Sequence, residues 1–235
     1  MLDARGVRED FVDALSLVRS SGKDGLVADG GFPNQPLSTL RVNWGHVVRG
    51  SRRSQFDTEF PVFSTFRDFD GKFLIWSQPA VLTRLHVLSS GEQLYAVLRW
   101  QQFFGSLAKA NSSEGTYTLK RGGFLNPFVS IRDATFDADF AVLRMNLFSG
   151  GTLEFVDGRR FTFTRLRFWN YEWSFKDENG GPVCSIRKRA SFKHSGDVVV
   201  FPNATRDKHL MVAIIAAWYA MVMASEEAAA VAASA

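Results

Sequence analysis

Four histidines, one cysteine and one acidic triplet are the side chains best suited to chemistry, and their spacing argues against most of it. His46, His86, His194 and His209 are scattered, with no His-x-Glu or paired-histidine spacing of the kind metal hydrolases use. Cys184 sits inside a strand-like run, which makes it a buried packing residue rather than a nucleophile. Asp133, Asp137 and Asp139 lack the glycine and terminal glutamate of a calcium loop and read as a surface turn. The sequence contains no glycine-rich phosphate loop and no nucleophile elbow. These patterns predict a protein that is not an enzyme and uses no metal and no cofactor.

Binding chemistry is better represented. Between Arg159 and Lys193 the chain places Arg159, Arg160, Arg165, Arg167, Arg187, Lys188, Arg189 and Lys193 against only Glu172, Asp177 and Glu178. Guanidinium groups pair with phosphate oxygens in a fixed fork geometry, so neighbouring strands carrying them would form a stripe for phosphate groups. The expected partner is an anionic phospholipid or membrane surface, with a protein partner as the alternative. Nucleic acid is not expected, because zinc-ligand spacing, helix-turn-helix and RNA-binding signatures are missing. Phe161, Phe163, Phe168 and Trp169 have strand spacing and read as core rather than as base-stacking platforms. Arg49, Arg52 and Arg53 read as a loop surface.

The elements that must position these residues are mostly strands. Leu40, Val42 and Trp44 alternate with polar neighbours, as do Leu94, Ala96, Leu98 and Trp100. The same holds for Ala141, Leu143, Met145 and Leu147, and for Tyr171, Trp173 and Phe175. Period-two alternation marks a sheet with one buried face. Asp70-Gly71, Asp157-Gly158 and Asn179-Gly180-Gly181 are hairpin signals. Ser149-Gly150-Gly151, Arg121-Gly122-Gly123 and Ser195-Gly196-Asp197 read as further turns. The spacing predicts about twelve to fourteen strands in an antiparallel meander between residues 38 and 202. Residues 7–20 suggest an amphipathic helix with Val7, Phe11, Leu15 and Val18 on one face, and residues 21–37 a joining loop. The charged start lacks the apolar run of a secretion signal, and one cysteine fits a reducing, cytoplasmic setting. A net charge of +4 favours anionic surfaces without choosing among them.

One segment decides the architecture. Leu210 to Ala224 carries no charge on any face, so as a helix it belongs in a protein core or a membrane. Fifteen residues reach roughly 22 Å, short of the about 30 Å of a bilayer core. Thr205 is the expected N-cap, with Asp207 in the first turn. A barrel of about twelve strands leaves an axial hole near the width of one helix, roughly 10–12 Å. The expectation is therefore a mainly β protein, a closed antiparallel barrel around this helix, with Leu210, Ile214, Ile215, Trp218 and Met221 facing the strands. Domain bounds are 1–37 for the leading helix and loop, 38–224 for the barrel and 225–235 for an alanine-rich tail. A tail-anchored membrane protein is the competing reading of the same run.

Three further segments carry a likeness. Gly181-Pro182-Val183-Cys184-Ser185-Ile186-Arg187-Lys188 looks like a strand that opens on glycine and closes on basic residues. Val198-Val199-Val200-Phe201-Pro202 follows, then Asp207-Lys208 and the apolar helix. Together these resemble the tubby-like barrel superfamily, closest to phospholipid scramblases and LURP-one-related proteins. That resemblance implies a twelve-stranded barrel around a hydrophobic helix and, in some relatives, association with membrane lipid. It carries over no calcium site, since Lys193, Asn203 and Arg206 stand where more acids would be wanted.

Overall fold

The computed structural model describes residues 61–66, 69, 73–81, 83–102, 105–123, 126–146, 150–167, 172–191 and 193–234, leaving aside the side chains of 166 and 167. The expected helix at 7–20, the loop at 21–37, the run around Leu40 and Trp44, the arginines 49, 52 and 53 and the Asp70-Gly71 turn lie outside these residues.

Twelve strands follow one another along the chain: β1 (Leu74–Ser77), β2 (Leu85–Ser90), β3 (Gln93–Trp100), β4 (Ala108–Ser112), β5 (Gly115–Gly122) and β6 (Phe128–Asp133). The second half comprises β7 (Ala138–Asn146), β8 (Gly150–Phe155), β9 (Arg160–Arg167), β10 (Glu172–Lys176), β11 (Pro182–Lys188) and β12 (Ser195–Val200). Each pairs antiparallel with the next, and β1 pairs with β12 in the register Leu74 to Val198, so the meander closes into a barrel. Closure removes every sheet edge. Because β1 begins at Leu74, the ring is complete without residues 38–60.

Alternation along the strands sends one row inward. Leu74 and Trp76, Leu119, Val129 and Ile131, Leu143, Phe161 and Phe163, and Val198 are all buried. The inward rows surround α1 (Leu210–Ala233), whose residues Leu210 to Met223 are buried in an unbroken run. Leu210, Ile214, Ile215, Trp218 and Met221 are each at most 1% exposed. Apolar on every side, the helix fills a lumen that would otherwise be empty, and each large side chain so buried contributes about 1.5–3 kcal/mol. Alanines 213, 216, 217 and 220 are buried beside Trp218 and Tyr219, so small and large residues share the lumen. Outside the wall, Leu85, Val87 and Val97 form a small second cluster under Phe63 and Leu94. A bulge between Leu88 and Ser89 shifts the register there, which puts Leu94 on this outer patch rather than in the lumen.

Three local expectations are corrected. Thr205 is not the N-cap: its hydroxyl donates to the Pro202 carbonyl at the end of a single 3-10 turn, Pro202–Ala204. His209 takes the cap position, and Asp207 Oδ1 accepts the His209 amide at 2.9 Å. Gly150 and Gly151 open β8, and Gly196 lies within β12, so neither site is a turn. These glycines are needed for close approach. A Cβ on Gly196 would stand 2.5 Å from Trp218 Cζ3, and one on Gly150 would stand 1.9 Å from the Phe163 carbonyl oxygen. The turns at Gly123, Gly158 and Gly180 do use positive φ, at 73°, 90° and 81°.

Candidate functional site

Antiparallel order sorts the barrel into two ends. At the proximal end α1 enters the lumen; the turns there join β2 to β3, β4 to β5, β6 to β7, β8 to β9 and β10 to β11. At the distal end α1 leaves, and the connections after β1, β3, β5, β7, β9 and β11 meet. Among the described residues, divided at the strand midpoints, the distal half holds twelve cationic positions against four acidic ones, Glu172, Asp197, Glu226 and Glu227. The proximal half of the described residues, Arg206 to Lys208 included, holds six cationic positions against ten acidic ones. Charge is separated along the barrel axis.

The eight basic residues singled out in the sequence divide between the ends. Arg159 and Arg160 are proximal. Arg159 pairs with Asp207 at 2.8 Å and lies 4.9 Å over the Phe161 ring; Arg160 pairs with Glu154 at 3.1 Å. Arg165, Arg167, Arg187, Lys188, Arg189 and Lys193 are all distal, on strands β9 and β11, which flank β10, and on the connection that follows β11. Arg165 stands 5.4 Å over the Trp173 ring, Arg187 pairs with Glu172 at 2.9 Å, and Arg189 pairs with Asp197. Lys193 Nζ donates to the Pro79 carbonyl at 3.1 Å, tying this corner to the connection after β1. Arg167 is placed by its backbone opposite Glu172.

Of the six distal cations not singled out in the sequence, two grip the helix: Arg84, just before β2, pairs with Glu226, and Arg121, near the end of β5, pairs with Glu227. Both glutamates belong to α1, so the helix is clamped from two sides as it emerges. Below the clamp, Trp218 Nε1 donates to His86 Nδ1 at 3.0 Å and its ring stacks on Trp76 at 5.7 Å. Trp100 Nε1 donates to the Met223 sulfur at 3.3 Å. His194 lies 5.6 Å from the His86 ring. Burial, then His194, Lys188 and Arg84, holds His86 well below the usual histidine range. Burial, then Lys188 and Arg84, brings His194 down to about 4. Burial also lowers Lys188, against the pull of Glu226. The described distal rim is thus rich in cations, several of them already paired, above two histidines whose pKa is lowered.

The proximal end is built differently. His209 is buried with Nε2 3.0 Å from Asp157 Oδ2 and Nδ1 3.2 Å from Asp207 Oδ1, so both ring nitrogens are engaged. Phe140, Phe155, Val156 and His209 line a hollow of about 160 Å³. Asp133 Oδ1 accepts the amides of Thr135 and Phe136, and Arg132 reaches Asp137 and Asp139, so the acidic triplet serves its own turn. Among the described residues no group of three or more acidic, histidine or cysteine side chains could hold a metal ion. Cys184 is fully buried, which pushes its thiol up to about 12.

Geometry and topology define the class as a closed twelve-stranded antiparallel barrel threaded by an apolar helix. No family model, no curated protein and no solved structure matches the chain.

Proposed function

We propose that this chain is a non-enzymatic tubby-like barrel of the scramblase and LURP-one-related type, acting as a binding module at anionic phospholipid surfaces. The observation that carries the reading is the separation of charge: among the described residues, twelve cationic positions stand against four acidic ones at the end where α1 emerges. Near an anionic bilayer each such charge contributes on the order of 1 kcal/mol, screened within a Debye length.

Flotation with phosphatidylcholine vesicles, with and without phosphatidylserine, tests the reading. Recovery only with phosphatidylserine supports it, and equal recovery at low salt removes the lipid claim. The tail-anchored reading is disfavoured because 78% of the helix's apolar window is buried inside the barrel. A protein-binding reading has one observation of its own: Phe136 and Val156 are 80% and 70% exposed at the proximal end. Capture of a partner by this end, abolished by Phe136→Asp and indifferent to lipid, is its test.

A further inference from the structure

The helix does not stop at the rim. Residues 210–223 are buried and Ser225 and Glu226 are half-covered, but Glu227 to Ser234 are exposed, and within that stretch residues 228–233 carry no charge. Val231 is 69% exposed. Six residues of helix rise roughly 9 Å, close to the about 5–10 Å to which interfacial elements penetrate, and far short of a span. Behind this stub stand Arg84 and Arg121, holding Glu226 and Glu227, with Lys188 at the end of β11 and Arg165 two residues before the end of β9. An uncharged projection ringed by cations has the profile of a membrane probe.

We infer that the barrel docks end-on, with the distal ring against phospholipid headgroups and the 228–233 end of α1 inserted into the bilayer interface. This rests on the anionic-lipid reading above and adds its orientation and its inserting element. The occupant is a bilayer rather than a second copy of the chain, because two distal rings facing each other would oppose like charges. The proximal end, with ten acidic positions against six cationic ones, is turned away from the membrane by the same argument. The clamp of Arg84 on Glu226 and of Arg121 on Glu227 neutralises the helix's own acids where they would otherwise meet lipid phosphates.

The experiment places a thiol-linked, environment-sensitive fluorophore at Val231→Cys or, as a control, at Phe136→Cys. The native Cys184 is buried and stays unlabelled. With phosphatidylserine vesicles the Val231 probe should shift to the blue, be quenched by brominated lipid and be shielded from iodide. The Phe136 probe should remain accessible to iodide. Val231→Glu should weaken partitioning about tenfold, as expected for replacing a buried valine by a charge, and Phe136→Glu should leave it unchanged. Flotation with an iodide-accessible Val231 probe, or with both probes shielded, overturns end-on docking while the lipid reading survives. No flotation removes both. A blue shift that needs no lipid and grows with protein concentration shows that the stub pairs with a second copy instead, and also overturns the inference.

Discussion

Trp218 is the residue on which three neighbours converge. Its indole stacks on Trp76, its Nε1 donates to His86 Nδ1, and its ring edge occupies the space a side chain on Gly196 would need. Gly196→Ala should therefore cost about 1–3 kcal/mol through overpacking, read as a lower urea midpoint with an unchanged slope. The two histidines beside it predict a pH dependence. Both are held neutral in the fold, with His194 at about 4 and His86 lowered further than ordinary, while the unfolded chain takes protons near 6.5. The unfolded state then binds more protons, so their contribution to stability is complete above about 6.5 and is lost as pH falls toward 4. Urea midpoints measured from pH 7 to pH 4.5 should decline, and His194→Gln should make that decline shallower. An unchanged slope in His194→Gln would show that its neutral state is not specific to the fold.

At the scale of elements, α1 and the wall depend on each other. A chain ending after Lys208 lacks the lumen's filling and should melt without cooperativity while binding a hydrophobic dye. One ending after Glu227 keeps the buried run and both clamps and should melt cooperatively, close to the full chain. Circular dichroism against temperature separates the two. The helix and the strands were legible in the sequence because each depends on local periodicity: an uncharged run of fifteen residues, and alternation between Leu94 and Phe175. What was not legible depends on contacts across the chain. Gly196 reads as a turn until Trp218, twenty-two positions on, is brought against it. Thr205 reads as a cap until the 3-10 turn spends its hydroxyl on Pro202. Arg84 and Arg121 had no signal beyond their charge, because Glu226 and Glu227 lie more than a hundred residues away.

At the scale of the whole barrel, the described residues form an axial dipole, and that too was partly written in the sequence. Reading the connections alternately, rather than counting charge along one stretch, separates acidic turns such as Asp157-Gly158 from the basic connections at the other end. The stretch from Arg159 to Lys193 mixes the two ends, which is why Arg159 and Arg160 fall away from the other six. If the distal ring meets the membrane, vesicle binding should weaken steeply between about 50 and 300 mM salt, since the Debye length shrinks over this range. Replacing Arg165 and Lys193 together by glutamine should lower binding at every salt concentration, by about tenfold at the lowest. The pair Arg132→Gln with Lys176→Gln at the opposite end should not. Co-sedimentation across a salt series measures both.

Closure of β1 on β12 also fixes the end at which the described residues enter the barrel. Ser64 donates its amide to Leu94 and accepts from Ser113 beside the turns of the acidic end, and β1 starts there as well. If the distal end meets lipid, residue 61 enters from the averted end, whereas anything joined behind α1 would be wedged between the barrel and the membrane. A reporter fused behind α1 should block vesicle capture. With its distal end on lipid, the barrel would be a pedestal, one end for standing and the other for display.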